Sequence, residues 1–360
     1  MQLKRKLLWI GLGVLSLLLR WIGSFEPQWI EQIYSRFLFI PIRVLYDILF
    51  GWLPFPSIYL FIILIGFWLV KTVGKIRKYS PNWIPRLGYA ALSLVAFLSI
   101  LIFAFLFVWG YNYGRVSLED QIGISPKPLD KEQIWSALQE ETAELVELRS
   151  QIPGAGEEAL DRSDHPEKLE KNLRVLLKNW LKTHDFPAPS NARAYKIYPK
   201  GIFMRFSSSG LYFPFTGQGH VDAGLHPLQW PYVMTHEMGH AYGFGDEGTC
   251  NFLAYVACAS AEDPVIAYMG RLAYWRTLAT SYLRYEREAY QAFRAELPLG
   301  MQADLNAINE NLRAYPDIMP KARYAAYDAY LKAQGIKEGM LNYSRVMMMV
   351  QAWKAKQRNN

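Results

Sequence analysis

Cysteine is nearly absent: Cys250 and Cys258 are the only two in 360 residues. They fall in one predicted helix, eight residues and therefore about 12 Å apart along its axis. A bridge needs Cα atoms within about 7 Å, which argues against an intrachain disulfide, and the redox compartment stays open. Acidic residues are scarce in the first third, with 3 against 11 basic residues up to Gly110 and 29 against 28 beyond it. The basic pI therefore comes from the N-terminal third. No Lys/Arg stripe interleaved with aromatics lies in the remainder, which argues against a nucleic-acid partner. A small-x-small cleavage site is also missing after the first apolar stretch, which continues Trp21-Ile22-Gly23-Ser24-Phe25. Lys4-Arg5-Lys6 would suit a signal peptide, but without that site the stretch reads as an uncleaved span.

Three apolar runs are present, at about 7–22, 58–73 and 87–109. The third carries no charge and has the roughly 20 residues that a spanning helix needs. Arg20 lies near the end of the first, where a long side chain can snorkel; Lys71 lies near the end of the second. Lys4, Arg5 and Lys6 precede the first run, and Lys71, Lys75, Arg77, Lys78 and Arg86 surround the connection between the second and third. By the positive-inside rule both groups are cytoplasmic. The expectation is a multi-pass protein of the inner or cytoplasmic membrane, with the lipid bilayer as partner. Residues 1–110 form its membrane domain and 111–360 an extracytoplasmic domain. The loop 23–57 reads as an interfacial amphipathic segment. Trp29, Ile30, Ile33, Tyr34 and Phe37 make its apolar side, and Glu31, Arg36, Arg43 and Asp47 its polar side.

In the second part, Ile134, Leu138, Leu145 and Leu148 predict a helix over 131–151. Leu169, Leu173, Leu176, Leu177 and Leu181 predict another over 167–184. Short strands are expected at 195–197, 202–206 and 211–215, where Tyr, Phe, Ile and Gly are frequent. Helices follow at 265–287 and 322–333. The fold class is α-dominated α+β, with a small sheet and several long helices after three transmembrane helices.

The chemistry centres on His236-Glu237-Met238-Gly239-His240, preceded by Pro227 and Pro231. Residues four apart share a helix face, so His236 and His240 can present two imidazoles to one zinc ion. Glu237, beside the first, can act as general base on water. A catalytic zinc site takes a third protein ligand and keeps one position open. Gly243 and Gly245 permit a turn that brings back Asp246 or Glu247. Asp246 has the look of an N-cap for the next helix, which favours Glu247 as the third ligand. Asn251, one turn later, could orient a ligand from behind.

The three spans, Gly210-Leu211-Tyr212-Phe213-Pro214-Phe215-Thr216-Gly217, the HEMGH helix and Asn251-Phe252-Leu253-Ala254-Tyr255 resemble the bacterial family with domain of unknown function 3810. Tyr330-Leu331-Lys332-Ala333-Gln334-Gly335 and Asn342-Tyr343-Ser344 extend the resemblance over nearly the whole chain. It implies a membrane-anchored metallopeptidase with a gluzincin-like, hence zincin-like, domain. In that pattern Glu-x-x-x-Asp/Asn supplies the third ligand, and it maps onto Glu247 and Asn251. The chain departs from the family at Gly248-Thr249-Cys250, where Glu and Ala are usual after an unspecified residue, and at Gln218, where Glu is common.

Peptide hydrolysis also needs a donor for the oxyanion; Tyr343, Arg345, Tyr212 and His220 are candidates by type. The strand near 211–215 could pair with an extended peptide or protein substrate. His165, His184 and His226 read as solvated loop or helix-end residues, Cys250 as a small buried one, and Met347-Met348-Met349 as helix packing. The leading expectation is a zinc metallopeptidase. A non-catalytic binding or scaffold protein that keeps the fold is the alternative. A transporter is disfavoured because the spans hold few charges. Substrate preference and oligomeric state have no signature in the sequence.

Overall fold

The computed structural model describes residues 2–359. The described residues are mostly helical, with one three-stranded sheet, and the chain divides into two compact units. The first comprises Met1–Val116 with Phe213–Gly217, the second Ser117–Tyr212 with Gln218–Asn360.

In the first unit, three helices are long and apolar enough to cross a membrane: Leu3–Gly23, Ile58–Tyr79 and Trp83–Val108. Their large apolar side chains face outward; Leu8, Ile63 and Val70 are 60%, 66% and 74% exposed. In water such a surface is unfavourable, whereas lipid is its natural solvent. The first and third helices touch where side chains are small. A Cβ on Gly13 would lie 2.8 Å from Ser99 Cβ, so glycine permits the close approach. Lys6 Nζ donates to Ser93 Oγ at 2.6 Å and Arg20 Nη1 to the Gly110 carbonyl at 3.1 Å.

The segment 27–50 has the near-helical spacing that its sequence shows. It is helical, winding as a π-helix over Ile30–Leu38 and as an α-helix over Phe39–Phe50. Its amphipathic pattern is inside out relative to a segment with its polar side in water. Phe37 and Ile48 are exposed, while Glu31 and Arg43 are buried. Glu31 receives Arg36 Nε at 2.8 Å and both Nε and Nη2 of Arg115. Arg43 donates to the Gly217 carbonyl at 2.6 Å and to Asp47 at 2.7 Å, and Tyr46 donates to the Pro214 carbonyl at 2.7 Å. A buried charge is tolerable only when paired in this way.

In the second unit, helix Lys131–Ser150 starts with a reciprocal capping box between Asp130 and Gln133. It packs on helix Pro264–Tyr285, where Trp275 Nε1 donates to Thr142 Oγ1 at 2.7 Å, and its Leu138 and Leu145 are fully buried. Leu173, Leu177 and Leu181 of helix Leu169–Thr183 are completely buried, as their spacing predicts.

The sheet consists of β1 (Ala194–Ile197), β2 (Gly210–Phe213) and β3 (Gln218–Asp222) in the order β1-β3-β2. β1 and β3 are parallel, with Ala194 opposite Gly219 and Ile197 opposite Asp222. The expected strand at 202–206 does not form. Asp222 draws that segment into turns by accepting from the backbone N–H groups of Gly201, Phe203 and Met204. β3, which the sequence reading passes over, takes the central place instead.

Candidate metal centre

Helix Trp230–Ala241 carries the HEMGH segment, with Pro231 in its first turn, where a missing N–H costs nothing. Gly243, at φ +88°, reverses the chain after it. Asp246 then caps helix Glu247–Ala259 by accepting from Thr249 N at 2.7 Å. The two helices cross closely because Gly239 faces Cys250; a Cβ there would lie 3.2 Å from Cys250 Sγ.

This crossing brings His236, His240 and Glu247 together, all buried. His240 Nδ1 lies 2.7 Å from the Phe244 carbonyl, which can only accept, so Nδ1 carries the proton and Nε2 keeps its lone pair. His236 Nδ1 is held in the same way by Asn251 Oδ1 at 2.8 Å, and Asn251 Nδ2 donates to the Tyr343 carbonyl. Both Nε2 atoms therefore face inward as acceptors, 3.1 Å apart. Glu247 Oε2 lies 3.1 Å from one and 3.4 Å from the other. Three acceptors so close repel one another unless a cation sits among them. A tetrahedral ion with bonds of about 2.0–2.1 Å sets its ligand atoms roughly 3.3 Å apart. The donor set fits such an ion. Where no metal is bound, a proton can be that cation: burial opposes charge at both groups, yet Cys250 and Glu247 raise the His240 pKa well above its ordinary value, and His240 and His236 hold the Glu247 carboxyl well below the usual carboxylate range.

Glu237 is buried beside this cluster. Burial pushes its carboxyl up to about 7, against the pull of His236 and His240, with Glu247 adding to the rise. Its Oε2 has no hydrogen-bond partner. Two glycines of the sheet make room for it. A Cβ on Gly210 would lie 2.5 Å from Glu237 Oε1, and one on Gly219 2.6 Å from Glu237 Cβ.

The model of the family described as protein of unknown function (DUF3810) matches residues 34–350. The chain belongs to the DUF3810 family. No curated protein and no solved structure matches it. The stretch matched to DUF3810 takes in the second and third apolar helices and the whole His236–His240–Glu247 cluster, and begins after the first apolar helix.

The other residues singled out in this DUF3810 chain fall in different places. Asp246 faces away, receiving Asn342 Nδ2 at 2.7 Å and Arg345 Nη1 at 3.0 Å. Arg345 is committed to that cap and to Glu119. Tyr212 stacks on the His240 ring at 6.2 Å. His220 donates through Nδ1 to the Leu211 carbonyl at 3.1 Å, and burial pulls its pKa down to about 4, so it is neutral. Its Nε2 is buried without a partner. Tyr343 reaches the cluster through Tyr327, whose hydroxyl donates to Glu247 Oε1 at 2.9 Å and lies 3.3 Å from the Tyr343 hydroxyl. Tyr327 escapes sequence reasoning, since nothing in the spacing of 23 tyrosines marks it.

Cys250 Sγ lies against Nδ1 of His240, on the side away from the cluster. Both cysteines are buried and free. His165, His184 and His226 are half-buried rather than solvated; His184 stacks on Trp180 and His165 meets Trp230 edge-on.

Proposed function

We propose that this chain is a zinc-dependent metallopeptidase with a zincin-like domain, anchored in the cytoplasmic membrane and acting on peptides or proteins at its outer face. The observation that carries the reading is the convergence of His236 Nε2, His240 Nε2 and Glu247 Oε2 beside the buried carboxylate of Glu237. Two imidazoles and one carboxylate suit zinc better than magnesium or calcium, which prefer oxygen alone. Three protein ligands rather than four are the mark of a catalytic site.

When bound there, zinc supplies Lewis acidity, lowering the pKa of water and polarising a peptide carbonyl. Glu237 takes the proton of the attacking water and returns it to the leaving amine. The Tyr343 hydroxyl, 3.3 Å from that of Tyr327, whose own proton goes to Glu247, can turn to donate to a developing oxyanion. Strand β2 has a neighbour on one side only, which leaves an edge for an extended substrate. The basic residues before the first apolar helix and between the second and third support a membrane domain at 1–110 and an extracytoplasmic domain at 111–360.

The test is metal analysis of the full-length wild-type protein beside its His236→Ala, His240→Ala, Glu247→Ala, Asp246→Ala and Glu237→Gln variants. About one zinc per chain is expected, absent from the first three variants and retained in the last two. Against a peptide library read by mass spectrometry, Glu237→Gln should cut hydrolysis by about 10²–10⁴-fold. Folded wild-type protein that takes up no zinc would end the proposal.

A further inference from the structure

Helices Pro264–Tyr285, Arg287–Glu296 and Leu299–Arg313 enclose a cleft of about 530 Å³, in the size range of small-molecule sites. None of its lining residues belongs to the metal cluster. Its floor is apolar, made by the buried side chains of Trp275, Ala279 and Leu305. Two arginines line it, Arg276 and Arg294, and no aspartate or glutamate does.

The two guanidinium groups differ in what they already hold. Arg294 uses Nη2 on the Gln302 carbonyl at 3.2 Å and on Asn306 Oδ1 at 3.1 Å, which leaves Nε and Nη1 unspent. Among the described residues Arg276 has no hydrogen-bond or ion-pair partner, so all five of its donors are unspent. Burial pulls both arginine pKa values down, and the Tyr290 phenol only partly opposes this. Guanidinium stays charged all the same. Half-buried and unneutralised, it costs free energy that a bound anion would recover.

We propose that this cleft binds a small polar molecule carrying a phosphate or a pair of carboxylates, with its anionic oxygens on Arg276 and Arg294. The planar guanidinium fork suits bidentate contact with such oxygens. Thr280, Tyr290, Gln291 and Asn309, also on the walls, supply hydroxyl and amide groups for a hydroxylated or carbonyl-bearing body.

The test is calorimetric titration of the full-length protein, in a detergent without phosphate or carboxylate groups, with inorganic phosphate and with succinate. Sodium chloride of equal ionic strength is the control. One of the two anions should bind saturably at one site per chain. Binding to phosphate alone identifies a phosphorylated ligand, and binding to succinate alone a dicarboxylate. Arg276→Gln and Arg294→Gln should each weaken that binding at least tenfold, and Arg276→Lys by less, since it keeps the charge but loses the fork. Asn309→Asp, at an exposed position, leaves both arginines in place and introduces a competing acid; it too should weaken binding about tenfold. It serves if loss of Arg276 disturbs folding. The proposal is overturned if neither anion binds beyond the chloride control, or if Arg276→Gln and Asn309→Asp bind like the wild type.

Discussion

Replacing Asn251 by leucine isolates the part of the cluster that sets histidine geometry without touching a ligand. Asn251 Oδ1 accepts from His236 Nδ1 at 2.8 Å, which leaves His236 Nε2 bare and aimed at His240 and Glu247. Leucine has the same branching, the same number of side-chain heavy atoms and a better helix propensity, so helix Glu247–Ala259 should persist. The imidazole then loses its acceptor. Either Nδ1–H is buried unsatisfied, or the proton moves to Nε2 and blocks the ligand atom. Loss of such an outer partner lowers metal affinity about 10–100-fold, equivalent to about 1.4–2.7 kcal/mol. Metal bound only by the folded state stabilises it by the same logarithm, so that amount should vanish from the metal-dependent stabilisation. For a domain of this size it amounts to roughly 3–10 °C in the gap between metal-loaded and chelated unfolding midpoints. Competition with a chromophoric chelator measures the affinity, and paired thermal unfolding with and without EDTA measures the gap. Comparing the chelated proteins removes any loss from the Asn251–Tyr343 contact. Asn251→Asp restores an acceptor of the same size and should bring affinity back to within a few-fold of wild type. If Asn251→Leu holds metal as tightly as the wild type, the orienting role assigned to Asn251 is wrong.

Two further variants probe the supports of the cluster. Gly210→Ala would set a methyl 2.5 Å from Glu237 Oε1 and 2.7 Å from the His220 carbonyl, and the latter belongs to the neighbouring strand and cannot swing aside. Overpacking of about 1–3 kcal/mol should appear as a lower urea midpoint at unchanged slope; an unchanged midpoint would mean that β2 is not held against Glu237. Asp246→Ala removes the cap on Thr249 N and the acceptor for Asn342 and Arg345, and should cost about 1–2 kcal/mol. It should leave the bound metal in place, and loss of metal would make Asp246 the third ligand after all.

The parts that the sequence reveals are those where local spacing alone sets the outcome. Apolar runs of membrane length give helices Leu3–Gly23, Ile58–Tyr79 and Trp83–Val108. The leucine stripe over 167–184 corresponds to helix Leu169–Thr183, with Leu173, Leu177 and Leu181 buried. An i, i+4 histidine pair faces one way on any helix, and the Gly243 turn narrows the returning acid to Asp246 or Glu247. Glu247 is the one that returns, and Asp246 turns outward to cap the helix.

The misreadings share a physical cause: they fall where polar groups are buried and satisfied by partners distant in sequence. All five residues of β3 are buried, Gln218, His220 and Asp222 among them, so the strand shows no apolar alternation. Ile202 and Phe206, which imitate a strand, lie 38% and 43% exposed on turns wound by the Asp222 carboxylate. Along 27–50 of the first unit Glu31 and Arg43 are buried while Phe37 and Ile48 are exposed, although Tyr34, Phe39 and Tyr46 are buried as well. A charge that turns inward there gains a partner, which a local pattern of apolar residues does not show. Glu31 with Arg115, and Arg43 with the Gly217 carbonyl, are separated by 84 and 174 residues, beyond any local pattern. Tyr327 is the same case at the metal centre. Its importance lies wholly in one 2.9 Å bond to a carboxylate 80 residues earlier. A helix face can be inferred from periodicity because every turn repeats it; an outer partner of a ligand occurs once, and only the folded chain identifies it.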